Sequence, residues 1–330
     1  MRYFSRITEG IGIKEFKSDK LKPHLVCSTP PHFLILERTI NAFLSIPVGI
    51  RYMVMSAFAF SIMALFVKLA GDRGIPVLEI VAARSVVSLF ISYVGIRSAG
   101  VALLGTRKGV LAARGLFGFA ALICVFYAIT HMPLAEAMVL QYLHPMFTAL
   151  LAFFFLKERL TLGTLICIVL SFIGVLIIVQ PSFLFASPVA SFSSFTVMVA
   201  IAGALGSAVA YTLVRALSKT EHALVIILYF PLLSLPASLV LLWGDFVMPQ
   251  GITWFYLLAI GVATQIGQVG LTKSMQTEAA ARATSFGYLQ VVFAIMLGII
   301  FYQEYPSVET LVGAGLIVVG MSLNVAWKKK

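Results

Sequence analysis

Residues 160–180 read LTLGTLICIVLSFIGVLIIVQ, a stretch with no charged side chain. About 20 mostly apolar residues in a helix cross the ~30 Å hydrocarbon layer of a bilayer, so this segment predicts a membrane span. Its flanks end it: Lys157-Glu158-Arg159 precede it and Pro181 follows. Working outward, the same pattern recurs at 49–71, 76–97, 108–131, 134–156, 193–217, 221–243, 252–273, 278–302 and 306–327. The separators are short and carry breakers, among them Gly71-Asp72-Arg73-Gly74, Met132-Pro133, Gly244-Asp245 and Tyr305-Pro306. Only 182–194 is a long connector, and it is uncharged. There is no ten-residue alternation of a transmembrane barrel. The expectation is an all-α membrane protein with ten transmembrane helices.

Composition agrees. The chain is 60% hydrophobic and 11% charged, with a mean hydropathy of +1.01. A soluble domain carries about 25% charged residues, so a water-soluble fold is excluded. Three cysteines, Cys27, Cys124 and Cys167, are too few for a disulfide framework. The last two lie in apolar runs and read as small core residues. Residues 1–48 form a tail in which Lys14, Lys17, Lys20 and Lys22 are set among acids. The tail lacks the basic start and apolar run of a secretory signal. Within it, 33–44 reads either as an interfacial amphipathic helix or as flexible chain.

The net charge of +11 is unevenly placed. With residue 1 in the cytoplasm, 21 of the 24 basic residues fall on the cytoplasmic side. These include Arg97, Arg107, Lys108, Arg114, Arg215 and Arg282. Lys68 and Arg73 fall outside, and Arg84 lies inside the second span. The positive-inside rule then places both termini in the cytoplasm, in the cell (inner or plasma) membrane. The charge therefore gives no reason to invoke nucleic acid.

Sliding the chain by 146 residues pairs 135–178 with 281–324 without a gap. Tyr142-Leu143 meets Tyr288-Leu289, and Phe147, Leu151, Phe155, Glu158, Thr164 and Gly174 meet Phe293, Leu297, Phe301, Glu304, Thr310 and Gly320. The chain thus divides into the tail, a five-helix repeat over 49–181 and a second over 193–327. Five is odd, so the second copy is inverted. Two inverted five-helix repeats form a transporter architecture, with the substrate held near mid-membrane between them.

The same residues carry a family resemblance. Tyr127 to Ala137, with its Thr130-His131-Met132-Pro133-Leu134-Ala135-Glu136 core, resembles the EamA-domain pattern joining the third and fourth helices. His144-Pro145-Met146-Phe147 followed by Leu156-Lys157-Glu158-Arg159 resembles the rest of that signature. Gly287-Tyr288-Leu289-Gln290, Glu304 and Gly313-Ala314-Gly315 are similar to the partner copy. The resemblance covers about 49–327 and implies the drug/metabolite transporter superfamily with its ten-helix fold. Members move very different solutes, so the substrate stays open. Val291 stands where the pattern has a proline, so proline supplies a reason for a broken helix only in the first copy.

Polar groups in hydrocarbon are costly, so each one within a span is a functional candidate. Arg84 lies roughly 12 Å into its helix at 1.5 Å per residue, and its guanidinium cannot lose its charge. Glu79, about 140° away around the same helix, is a poor partner. Two roles fit Arg84: contact with an acidic solute, or a lock on the carbonyls of a neighbouring broken helix. His144 is also near the midplane and is followed by Pro145, which frees the carbonyl of Gln141. Gln141, Tyr142 and His144 therefore gather where a discontinuous helix would bind substrate, with Tyr288 and Gln290 as repeat equivalents. The bland alternative is a polar pair bonded between the halves. His144 could also carry a coupling proton.

Gln265 and Gln268 share a helix face and read as lining or as interhelical glue. Tyr211 is a further lining candidate. Glu158 and Glu304 read as helix-end caps, and Glu136 as a gate contact or a cap. Gly203, Gly206, Gly313, Gly315 and Gly320 mark close helix contacts.

No glycine-rich loop with Lys-Ser/Thr is present for ATP, and no HExxH or other metal-ligand spacing appears among the five histidines. No cofactor is expected. The leading reading is a secondary transporter, not an enzyme, that exports or exchanges a small polar metabolite, amino-acid-like or otherwise bearing a carboxylate or phosphate. Its partners would be that solute, membrane lipid, and a proton or exchanged solute for coupling. The alternative is an intramembrane enzyme acting on a lipid-linked substrate.

Overall fold

A computed structural model describes residues 46–131, 140–179, 193–303 and 306–327. Residues 1–45 of the tail, with the 33–44 stretch read as either interfacial helix or flexible chain, Glu136, the 182–194 connector up to residue 192, and Glu304 lie outside the described residues. So does the first part of the fourth span.

The helices are α1 (Val48–Gly71), α2 (Val77–Ser98), α3 (Lys108–His131), α4 (His144–Leu156), α5 (Leu162–Val179) and α6 (Ser194–Leu217). They continue as α7 (Ala223–Leu241), α8 (Thr253–Thr277), α9 (Ala280–Ser285), α10 (Leu289–Tyr302) and α11 (Val308–Trp327). Among the described residues nine spans are long and apolar enough to cross a membrane, α9 and α10 counting as one, and α4 is a shorter apolar helix. The starts follow local chemistry. Pro47 and Pro76 precede α1 and α2, and the Ser193 and His222 side chains accept from the first-turn amides of α6 and α7.

The principal helix pairings are unchanged when the two halves are exchanged. α1 packs on α8 and α6 on α3, α2 on α8 and α7 on α3, α4 on α6 and α10 on α1. α2 and α7 pack on each other, as do α5 and α11. Individual residues obey the same exchange. A Cβ added to Gly174 would stand 2.5 Å from the carbonyl oxygen of Gly313, and one on Gly313 would meet that of Gly174 just as closely. Gly320 likewise faces the carbonyl of Cys167, the repeat mate of Gly313. Close backbone approach in lipid needs small residues, since dispersion contact rather than water exclusion drives the association. Gly203 and Gly206 serve the α3–α6 crossing in the same way. Gly315 does not, because nothing lies within 4 Å of a Cβ placed there.

α4 and α10 both end on a left-handed residue, Lys157 at φ 54° and Gln303 at φ 53°. These stand 146 positions apart, and their amides bond the carbonyls of Ala152 and Gly298, also 146 apart. The same local solution has thus been kept twice without a glycine at the site.

Candidate functional site

The chain breaks twice at mid-bundle. Helix up to Gln141 gives way to a turn at Tyr142-Leu143 before α4, as Pro145 requires. In the second half α9 passes through a 3-10 turn, Phe286–Tyr288, into α10. Val291 had removed the proline reason for a break there, yet the break exists and falls at the equivalent position. Ser285 and Thr284 bond back to Arg282, Ala280 and Ala281 carbonyls, taking up acceptors at the helix end. Tyr142 and Tyr288 stack at the two breaks, with ring centroids 5.6 Å apart. The Tyr288 hydroxyl donates to the Tyr142 carbonyl at 2.9 Å, and Tyr288 is fully buried. The two halves therefore meet through one residue and its own repeat mate.

Beside this junction His144 Nδ1 lies 3.0 Å from the carbonyl oxygen of Gln141, the acceptor that Pro145 leaves free. A carbonyl only accepts, so Nδ1 carries the proton and a neutral His144 keeps Nε2 as an acceptor. The His144 ring meets Tyr211 edge-on at 5.2 Å. Gln141 Nε2 donates to Ser207 Oγ at 3.2 Å, one turn before Tyr211 on α6, and its Oε1 is buried without a partner.

Tyr211 joins this polar group to a cationic one. Both Arg84 and Arg114 are within its electrostatic reach. The two guanidinium carbons stand 5.0 Å and 5.5 Å from the centre of one ring, Phe230 on α7. Arg114 donates to Gln268 Oε1 at 3.1 Å. It is 3% exposed, and its Nε and Nη1 find no partner. Arg84, Ser85, Ser88, Ile227, Phe230, Pro231, Thr264 and Gln268 line a small pocket. Pro231 lies inside α7 and cannot supply the amide that would bond the carbonyl of Ile227, so that acceptor lacks its usual helical donor.

The remaining candidates divide between this pocket and places outside it. Gln265 is 4% exposed and bonded to Ser88 and Ser92 on α2, so it ties helices together while Gln268, three residues on, lines the pocket. Gln290 offers its backbone carbonyl to Ser61 on α1 at 2.9 Å. Glu79 accepts from the Val247 amide at 3.0 Å. Glu158 pairs with Arg215 at 2.6 Å and caps the amide of Ala280 at the start of α9. Cys124 and Cys167 are free thiols, with Cys167 buried.

The model of the EamA-like transporter family matches residues 47–180 and 194–326. The chain belongs to this family. Among relatives of this EamA-like transporter, the pseudopaline exporter CntI of Pseudomonas aeruginosa is 37% identical, over 82% of this chain and 93% of its own length. Human solute carrier family 35 member G1 is 31% identical over 85% of this chain and 79% of its own. A riboflavin transporter of Brucella anthropi is 26% identical over 82% and 95%. One solved crystal structure superposes with a TM-score of 0.73 at 19% identity, covering 85% of this chain and 97% of the other, a likeness of fold. The relatives are named as transporters, so the protein is a membrane transporter and not an enzyme.

Two of the arginines counted on the cytoplasmic side of the EamA-like transporter, Arg114 and Arg282, are buried in the bundle. Arg282 pairs with Glu278 at 3.7 Å and donates to the Asn324 carbonyl. The signal for Arg114 lay in its depth: six residues past Lys108 is roughly 9 Å into the span. Phe230 carried no such signal, since one phenylalanine in an apolar helix looks like any other.

Proposed function

We propose that the protein is a secondary transporter that carries a small metabolite bearing a carboxylate or phosphate across a cell (inner or plasma) membrane by alternating access, with both termini in the cytoplasm. The observation that carries this reading is the pair Arg84 and Arg114, which meet no carboxylate among the described residues. A guanidinium inside a bundle stays charged and favours carboxylate or phosphate in a two-pronged hydrogen bond. Tyr211, Gln141, Gln268 and the acceptor Nε2 of His144 add the polar contacts that orient a solute. Tyr142 and Tyr288 form the axis about which the two halves rock.

Exchange of near-identical packings between the halves supports alternating access, because an inverted pair offers the same geometry to either side. The relative named as a pseudopaline exporter supports export as the direction.

The test is flux in reconstituted vesicles against a panel of acidic, zwitterionic, neutral and cationic solutes. Saturable flux of acidic solutes, lost in Arg84→Ala and Arg114→Ala, is expected. Flux of neutral solutes alone, unchanged in both variants, would sink the reading. Labelling of single cysteines at the termini from either side checks the orientation.

A further inference from the structure

Resting on that reading, we infer that the solute carries two anionic groups, one for each of Arg84 and Arg114, joined by a slender apolar link that lies along the ring of Phe230. Both guanidinium carbons reach the same ring, so they are no more than about 10.5 Å apart. Both keep their charge, and a single carboxylate would leave one of them unmatched in hydrocarbon.

The rest of the protein shows how it treats buried arginine where the role is structural. Arg215 is matched by Glu158 and Arg282 by Glu278. Only at Phe230 do two cations share a site with no acid from the described residues. The donors themselves are waiting: Nε and Nη1 of Arg114 are buried without acceptors, and so is Thr264 Oγ1 in the pocket wall. Gln268 Oε1 already receives Arg114, which leaves that amide's nitrogen as a further donor. The set is rich in donors and poor in negative charge.

Beside Arg84 the pocket has an apolar side made by Phe230, Ile227 and Pro231, and the Phe230 ring is shared with Arg114. A short hydrocarbon link suits that side, while an ammonium group would lie among two like charges. The substrate class is therefore a dicarboxylate, or a carboxylate joined to a phosphate, rather than a monoamino, monocarboxylic amino acid.

The experiment uses the purified full chain in detergent and reads thermal stabilisation, since a ligand that binds only the folded state raises its stability. The probes are dicarboxylates with two to five linking carbons and phosphoglycolate, set against butyrate and 4-aminobutyrate. The best dianion is expected to half-saturate at a concentration at least tenfold below butyrate, with 4-aminobutyrate weakest. Arg84→Gln and Arg114→Gln should each bring the dianion and butyrate to equal affinity, while Arg84→Lys and Arg114→Lys keep part of the preference. Variants enter the comparison on showing a single cooperative melt. Equal affinity for butyrate and the dianions in the unmodified protein would overturn the inference and leave the proposed function standing. So would a preference that survives both glutamine variants. Stabilisation by neutral or cationic solutes alone, with no response to any acid, would remove both.

Discussion

Replacing Arg84 by methionine keeps a flexible, unbranched though shorter side chain, removes its charge, and is expected to make the ligand-free protein more stable. The reasoning runs on three magnitudes. Two unit charges at most about 10.5 Å apart repel by at least ~1.6 kcal/mol at an effective dielectric of 20. Removing one also relieves the desolvation of a partly buried guanidinium with no ion pair among the described residues, a fraction of the several kcal/mol that a fully buried ion costs and on the order of 1 kcal/mol here. Against this stands the loss of the contact over Phe230, worth about 0.5–2 kcal/mol. The balance favours the variant by about 0.5–2 kcal/mol, or on the order of 2–4 °C per kcal/mol in melting temperature. A saturating acidic ligand should reverse the order. At 100-fold excess over Kd it adds about 2.7 kcal/mol to the unmodified protein, and far less to the variant. The assay is paired melting curves with and without the best ligand of the panel. A ligand-free Arg84→Met protein that melts clearly below the unmodified one, with the loss recovered by Arg84→Lys, would refute the reasoning. It would assign Arg84 to holding the bundle together.

Other consequences are as direct. Gly174→Ala and Gly313→Ala should each cost about 1–3 kcal/mol by overpacking against the opposing backbone, whereas Gly315→Ala should be neutral or slightly stabilising; melting curves of the three decide it. Tyr288→Phe leaves the Tyr142 carbonyl without its donor and should lower stability by about 1–3 kcal/mol, read in the same assay. Glu221 accepts from the Thr106 hydroxyl and from the amides of Thr106 and Arg107 at the start of α3. Burial pushes its carboxyl up, but these bonds outweigh that and hold it below the ordinary value of 4.5. Its contribution is therefore present above pH 4.5 and lost as pH falls through the lower folded value, so Glu221→Gln should flatten the acid limb of a stability–pH curve. Glu158→Ala removes both the pair to Arg215 and the cap on α9, and should lower the melting temperature more than Glu158→Gln does.

Legibility differed by the kind of signal. Spans of twenty apolar residues and the 146-residue repeat are properties of residue order alone. They were readable because hydrocarbon imposes one requirement on every segment. Pro145 announced the break before α4, since a missing amide acts locally. The break before α10 was not announced: without proline it depends on Tyr288 finding Tyr142 across the bundle. Arg84 stood out because a charge in a span is always an exception. Arg114 was hidden by its nearness to a loop: counted with the basic residues of the cytoplasmic side, it was not read as a site residue.

The order of residues thus determined ten spans, two copies and one charge out of place, because those follow from periodicity and transfer energy along the chain. Tertiary structure decided which polar groups share a space. It separated Gln265, bonded to α2, from Gln268, facing the pocket, although both sit on one helix face. It also brought a second arginine to the first, on the ring of a phenylalanine more than a hundred residues away from either. Proximity between helices depends on rotation and packing of whole elements, and no local pattern records it.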